Sequence, residues 1–378
     1  MKRLSWATFA SIGALGATYP FLALELRGRG VTGWLLTAAM IASPLLRLTV
    51  GPAWGAWSDR REGSGHVVLA AAVCMALGAV WLAGAPGLLV LGGVILHGIG
   101  RVGVDPLLDG LIVRTLGADR ERYGRVRLWG SVGFLLSVYA GGALSEHYDI
   151  SPLWLAAALS LGLVVSCVGL PRSTGTTAPV ELLPALRELG RDRYLGAVLA
   201  VSALHFAGIS IYDSYFAIHV ENLGLPRSVA GAAFALGVLV EVGVLRAGGW
   251  LLQRVGARRL FLLGVLISLP RWVLTATISD PWLLVGVQAI HGIGFGAFWV
   301  AAIELVSERA PRRLQSSAQG LLGAAVGGVG SLTGNLLGSR GLEFFEDSGQ
   351  IFWISLVLCG LAAVVALLGL RPRPVAQT

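Results

Sequence analysis

The sequence predicts an all-α integral membrane protein: twelve transmembrane helices in two pseudo-symmetric six-helix bundles. Three observations carry this. Hydrophobic residues make up 55% of the 378 and charged residues only 13%, at a mean hydropathy of +0.74, a balance foreign to a water-soluble globule of this size. Apolar runs of roughly 20 residues, the length that spans a bilayer as a helix, recur along the whole chain. A polar turn also occurs twice, as Gly55-Ala56-Trp57-Ser58-Asp59-Arg60 and as Gly249-Trp250-Leu251-Leu252-Gln253-Arg254-Val255-Gly256-Ala257-Arg258-Arg259. Each copy lies between two apolar runs, so a unit is repeated, as in many membrane transporters.

Span 1, about 4–24, follows Lys2 and Arg3 in the manner of a signal peptide, but it ends in Glu25-Leu26-Arg27 and a second run follows at once. It is therefore read as a retained helix. Span 2, 32–57, ends on the first polar turn. Spans 3 to 6, at 66–85, 87–113, 126–145 and 152–171, complete an N-terminal bundle over 1–171. Residues 172–193 form the one long polar connection, with Ser173, Pro179, Pro184, Arg172, Arg187, Arg191 and Arg193, and are read as a cytoplasmic central loop. Spans 7 to 12, at 194–219, 228–252, 260–279, 282–304, 316–339 and 350–370, make the C-terminal bundle within 194–378.

Cys74, Cys167 and Cys359 each fall inside an apolar run without metal-ligand spacing and read as small core residues. Neither a cofactor nor a metal is expected. A net charge of +8 would suit a nucleic-acid partner in a soluble protein, but the cations here are divided among short loops between spans. That pattern is membrane topology. With the N-terminus in the cytoplasm, Arg27, Arg29, Arg227 and Arg340 fall outside and four arginines lie within spans, while every other lysine and arginine falls inside. Both termini are thus expected in the cytoplasm of a plasma membrane, a bacterial inner membrane in the first instance.

A charge at mid-membrane costs about 2.5–3.5 kcal/mol on insertion scales, so each one retained is a functional candidate. In span 4, His97, Arg101, Asp105 and Asp109 recur every fourth residue. Each such step turns a helix by only about 40°, so the four line one face directed into the bundle. Arg101 and Asp105 read as an internal ion pair or as participants in binding substrate or proton, two compatible roles, and Pro106 is positioned to kink the helix beside them. Asp109 and Arg114 are placed nearer a cytoplasmic gate. The second half contributes Asp213, Glu241, Arg246, Arg271, His291 and Glu304. Glu241 is the first candidate proton acceptor, since a carboxylate among apolar residues retains a proton until an arginine approaches; a static pair with Arg271 or Arg246 is the alternative. Asp213, beside Tyr212 and Tyr215, is the second, with a role in an extracellular-side gate as the alternative. His291 is a weaker proton candidate, and His205 reads as a core residue. Arg101 and Arg271 offer guanidinium forks to an anionic substrate. Tyr19, Phe21, Trp129, Tyr212, Phe295 and Phe298 offer an aromatic wall, with packing as the alternative for each. Glycines at Gly13, Gly16, Gly130, Gly133, Gly330, Gly334 and Gly338 admit close helix approach.

Two six-span halves, a basic central loop and the Gly55-x-x-x-Asp59-Arg60 turn resemble the major facilitator superfamily over the whole chain. The first copy of the turn lacks the family's glycine-and-basic-pair tail, and the second replaces the aspartate with Gln253. Tyr123-Gly124-Arg125-Val126-Arg127-Leu128-Trp129-Gly130-Ser131-Val132-Gly133-Phe134 resembles the signature of that superfamily's phenylpropionate, nucleoside and oligosaccharide proton-symporter branch. Tyr19-Pro20-Phe21, Arg271-Trp272, His291-Gly292, Phe295-Gly296 and Ala318-Gln319-Gly320-Leu321 are similar to stretches of its phenylpropionate-permease-like subgroup. Span 5 carries Gly141-Gly142 without the Gly-Pro pair of antiporter-type families. Glu241, Arg271 and His291 are similar by span and depth to the coupling residues of the lactose permease, except that Gly294 and Phe295 stand where that permease has an acid.

The resemblance implies alternating access in a transporter that needs no partner beyond the bilayer and is functional as a monomer, a small-molecule substrate, and symport of a proton with, most simply, an aromatic organic acid. Arg101, Asp105, Tyr212, Asp213, Glu241, Arg271 and His291 would bind substrate or proton; Gly55, Asp59, Arg60, Asp109, Arg114, Arg127 and Arg254 would belong to the gate or loop motif. Since Asp59 keeps the acid that Gln253 lacks, Asp59→Asn is expected to slow transport more than Gln253→Ala at matched expression. The competing functions are export of drugs or lipophilic compounds, seen as resistance on expression, and, from other classes, a membrane-embedded enzyme or a non-transporting sensor. No HExxH, CxxC, P-loop or GxSxG motif supports the enzyme.

Overall fold

A computed structural model describes residues 2–60, 64–116, 120–170, 189–311 and 314–370. Among them every regular element is helical. We number the spans α1 (Lys2–Thr18 with Leu22–Gly28), α2 (Gly33–Ser58), α3 (Gly65–Gly84), α4 (Gly87–Ile112), α5 (Arg125–Tyr148), α6 (Pro152–Cys167), α7 (Arg193–Asn222), α8 (Arg227–Arg246), α9 (Ala257–Thr277), α10 (Pro281–Arg309), α11 (Ser317–Phe344) and α12 (Ser348–Gly369). Ten are long and apolar enough to cross a membrane alone; α1 qualifies as a pair bent by 47°, and α6 is shorter, at 16 residues. These are the twelve segments the sequence predicts.

Local chemistry sets the ends. The bend in α1 falls at Tyr19-Pro20-Phe21, where Pro20 brings no backbone donor to the helix. Asp192 accepts from the amides of Tyr194 and Leu195 to start α7, and Asp280 caps α10, with Pro281 in its first turn. Span 8 ends earlier than the apolar run implied: it stops at Arg246, and Gly248–Val255 forms a separate short helix. That short helix closes on Gly256 at φ +81°, a left-handed conformation that explains the glycine in the second polar turn. Pro106 lies inside a helix that runs from Val90 to Leu116. Of the predicted central loop, 172–188 lies outside the described residues, as does the tail of the first polar turn at 61–63.

Within the first six helices α1 packs on α5 and α6, and α3 on α4; within the last six α7 packs on α11 and α12, and α10 on α8 and α9. The predicted glycine faces make these approaches possible. A Cβ on Gly133 would lie 2.3 Å from the Phe9 carbonyl oxygen of α1, and one on Gly334 would lie 2.2 Å from the Ala207 carbonyl oxygen of α7. Both neighbours are backbone and cannot turn aside. Gly133→Val is therefore expected to destabilise the fold by about 1–3 kcal/mol, read as a lowered melting temperature in detergent; an unchanged value would remove close α1–α5 contact as the reason for the glycine.

The hydrophobic core divides unevenly. One cluster runs through both halves, joining Phe21, Leu36 and Val138 to Tyr212, Phe234, Trp272 and Phe352. The other two belong to one half each: Leu4, Met75, Leu111 and Leu163 in the first, and Val198, Phe261, Phe298 and Leu305 in the second. The halves are thus packed together at the end remote from the termini and parted at the end that carries them.

Candidate transport cavity

Where the halves part they enclose a cavity of about 450 Å³, lined by α1, α2, α4 and α5 on one side and by α7, α8, α10 and α11 on the other. Its sealed end is built by α5 against α8 and α2 against α11. Arg227 of α8 reaches Glu25 at 3.5 Å, Glu221 at 2.8 Å and the Ser145 hydroxyl at 2.7 Å. The Ser228 amide donates to Glu146 at 3.1 Å, and the hydroxyls of Thr37 and Ser339 meet at 2.7 Å. Arg340 lies 4.1 Å above the Trp34 ring. At the other end, Gly51–Arg60 of the first half and Gly248–Val255 and Gln315–Gly323 of the second pack chiefly on helices of their own half. The cavity opens there.

On the first wall, Arg101 and Asp105 form an ion pair at 3.0 Å. Arg101 also donates to the Ser11 carbonyl at 2.5 Å, and the Ser11 hydroxyl donates to Asp105 at 3.1 Å, which ties α4 to α1. The ion pair weighed for these residues is present, and both line the cavity. The single face predicted for span 4 does not extend further. His97 turns to α3, its ring 3.2 Å from the Met75 carbonyl, and Asp109 opens with Asp105 and Arg127 into a small neighbouring pocket. Three steps of about 40° carry the face round by about 120°, and the two middle residues, Arg101 and Asp105, are the ones that line the main cavity.

On the second wall, Asp213, Glu241 and His291 line the cavity. No ion pair is formed by Asp213 or Glu241 among the described residues, so the pairs foreseen for Glu241 with Arg271 or Arg246 are not made. Arg271 is fully buried, with its guanidinium carbon 4.2 Å from the Tyr212 ring and 4.1 Å from the Trp272 ring, and its Nε donates to Gln288 at 3.0 Å. Neither Arg271 nor Tyr212 lines the cavity. Aromatic burial of the guanidinium has placed it one layer behind the wall. His205 packs on Phe298, with its ring 3.5 Å from Cys359, as a core histidine would.

The aromatic wall differs from expectation too. Tyr19 and Phe295 line the cavity, but Phe21 and Phe298 are fully buried and Trp129 is half exposed outside it. Phe206, Phe234 and Trp299 take their places. Arg127, foreseen at a gate, lines the cavity, and so does Arg47, to which sequence reasoning gave no role. The signal for Arg47 was present: it is a cation inside span 2, the same criterion that selected Arg101. Among the remaining gate residues, Gly55 lies at the open end of α2 and Arg254 is exposed on Gly248–Val255, while the side chains of Asp59, Arg60 and Arg114 lie outside the described set.

Sequence comparison places this geometry among known proteins. Residues 1–354 match the model of the MFS_1 like family. A maltose permease of Geobacillus stearothermophilus is 30% identical over 364 residues, covering 95% of this chain and 92% of the relative. The "Probable 3-phenylpropionic acid transporter" of Escherichia coli K12 is 28% identical over 81% of this chain and 82% of the relative. Among solved structures, the nucleoside transporter NupG superposes with a TM-score of 0.81 over 98% of both chains at 16% identity, a likeness of fold.

Proposed function

The chain belongs to the MFS_1 like family and is a multi-pass secondary transporter of the major facilitator fold, not an enzyme, and from that premise we propose that it takes up a small organic acid together with a proton. One observation carries the proposal: a cavity between the halves, sealed at one end and open at the other, is lined at once by arginines and by Asp213 and Glu241, which form no ion pair among the described residues. With both termini cytoplasmic in a bacterial inner membrane, the open end faces the cytoplasm and the state described is inward-open. Rocking of the halves about the cavity would expose it to the other side. Asp213 and Glu241 are the proton acceptors, and a single chain supplies the whole pathway. Phe206, Phe295 and Trp299 supply apolar surface for the body of the substrate.

A neutral sugar is the second reading, favoured by the near full-length similarity to a maltose permease; aromatic faces beside charged hydrogen-bonding groups also suit a polyol. Uptake into liposomes under an imposed pH gradient, with radiolabelled 3-phenylpropionate and maltose in parallel and protein-free liposomes subtracted, separates the two. Acid accumulation is expected to require the gradient, and to fall at least about tenfold in an Asp213→Asn, Glu241→Gln double variant. Full gradient-driven accumulation in that variant would refute the assignment of the acceptors.

A further inference from the structure

Resting on the transport reading above, we propose that the cavity has two complementary subsites on opposite walls, an anion subsite formed by Arg47 and Arg127 and a proton subsite formed by Asp213 and Glu241, which load one monoanion with one proton so that the pair is carried without net charge.

The anion subsite follows by asking which arginines are free to meet a ligand. Arg101 is taken by Asp105 and the Ser11 carbonyl. Arg271 is sealed behind the Tyr212 ring. Arg47 of α2 and Arg127 of α5 line the cavity and form no ion pair among the described residues. Each also runs over a glycine. A Cβ on Gly327 would lie 3.3 Å from Arg47 Cδ, and one on Gly130 would lie 2.8 Å from an Arg127 Nη atom. Gly327 sits in the π-helical segment Ala324–Gly330 of α11, a distortion often found at functional sites. Two guanidinium forks lining one cavity are suited to a carboxylate, which accepts two parallel hydrogen bonds from such a fork.

The opposite wall has the opposite sign. Asp213 comes from α7 and Glu241 from α8, and α10 adds only His291, held between the Tyr212 and Phe295 rings at 5.9 and 5.7 Å. From α11 no titratable group faces the cavity, and α1 adds only Tyr19. Asp109 sits beside Arg127 in the adjoining pocket, which leaves Arg47 as the less compensated of the two cations.

Coupling follows from conservation of charge. When the halves close, the cavity loses its water, and a net charge that was hydrated must be carried in a low dielectric. If the empty cavity can close, the cavity holding an anion on one wall and a proton on the other can close as well, because its total charge is the same. The lining sets Arg47, Arg101 and Arg127 against Asp105, Asp213 and Glu241, so loading either alone leaves a net charge of one unit and opposes closure. The proton subsite therefore gates the movement of the anion without touching it.

Calorimetric titration of the purified protein tests this, with 3-phenylpropionate against 3-phenylpropionamide and gluconate against glucose, in two buffers of unlike ionisation enthalpy. At least one carboxylate is expected to bind at least about tenfold more tightly than its neutral counterpart, with uptake of close to one proton per carboxylate. Arg47→Gln and Arg127→Gln should each lose about tenfold in carboxylate affinity at unchanged melting temperature, and Arg47→Lys should restore part of it. The Asp213→Asn, Glu241→Gln double variant should still bind the carboxylate but take up no proton. Equal affinity for acid and neutral partner, no binding of either acid, or binding without proton uptake would each overturn the proposal. Gradient-driven flux of maltose without carboxylate binding would sink these subsites and leave the transporter standing; carboxylate binding with proton uptake but no flux would do the reverse.

Discussion

Asp105→Ala is expected to destabilise the protein by about 3 kcal/mol, the low end of the cost of breaking a buried ion pair. The partner left behind decides the size. Arg101 is 5% exposed and would keep only its bonds to Ser11, so a guanidinium would stand in the membrane interior without a counter-ion. Asp105 itself keeps 25% of its side chain exposed to the cavity, and the water there tempers the loss. The double variant Arg101→Met, Asp105→Leu removes both charges and should recover most of the stability, because well-packed apolar groups replace a buried pair at little cost. Thermal unfolding in detergent measures both. If the double variant is no more stable than Asp105→Ala, the ion pair is not what the single substitution disturbs.

Arg227→Gln is expected to move the resting population toward the state sealed at the other end by about tenfold. Arg227 is the one cation in this network that joins α8 to both Glu25 and the Ser145 hydroxyl of the first half. Its bond to Glu221 stays within the second half and does not resist opening. Hydrogen bonds to charged groups contribute about 1.5–3 kcal/mol each, discounted here because Arg227 is one-third exposed, and about 1.4 kcal/mol is a tenfold shift. Spin labels at Thr37 and Ser339, now in contact across the sealed end, read the change as a second, longer distance population. Arg227→Lys keeps the charge and should show less of it. Identical distance distributions in wild type and Arg227→Gln would mean that glycine packing between α5 and α8, where a Cβ on Gly231 would lie 2.8 Å from the Val138 carbonyl oxygen, holds the end closed unaided.

Composition and periodicity reach a long way here because a bilayer leaves few solutions. Every backbone polar group within it must be paired internally, so a run of apolar residues long enough to cross is a helix whatever its neighbours. The repeated polar turn placed the two halves, and the glycines of spans 1, 5 and 11 marked where helices touch. Arg101 and Asp105 were legible as well, since spacing of four on one helix brings side chains together whatever surrounds it.

The rest of the site turned on relations between helices. Whether Arg271 meets the cavity depends on where Tyr212 lies, and Tyr212 belongs to a different helix, 59 positions earlier in the numbering; only packing of α7 against α9 decides that the ring stands in front of the guanidinium. Phe21, Phe298 and Trp129 are as aromatic as Phe206, Phe234 and Trp299, and nothing in their flanking residues distinguishes a ring turned inward from one packed in the core or set outside the cavity. The sequence by itself determined a twelve-span, two-half membrane protein and the charges that lipid would not tolerate, because those follow from transfer free energy and helical geometry. The tertiary structure alone decided which of those charges meet, which are screened by a ring, and that Arg47 shares a cavity with Arg127, Asp213 and Glu241, because helix rotation and tilt are fixed by side-chain packing between segments far apart in the chain.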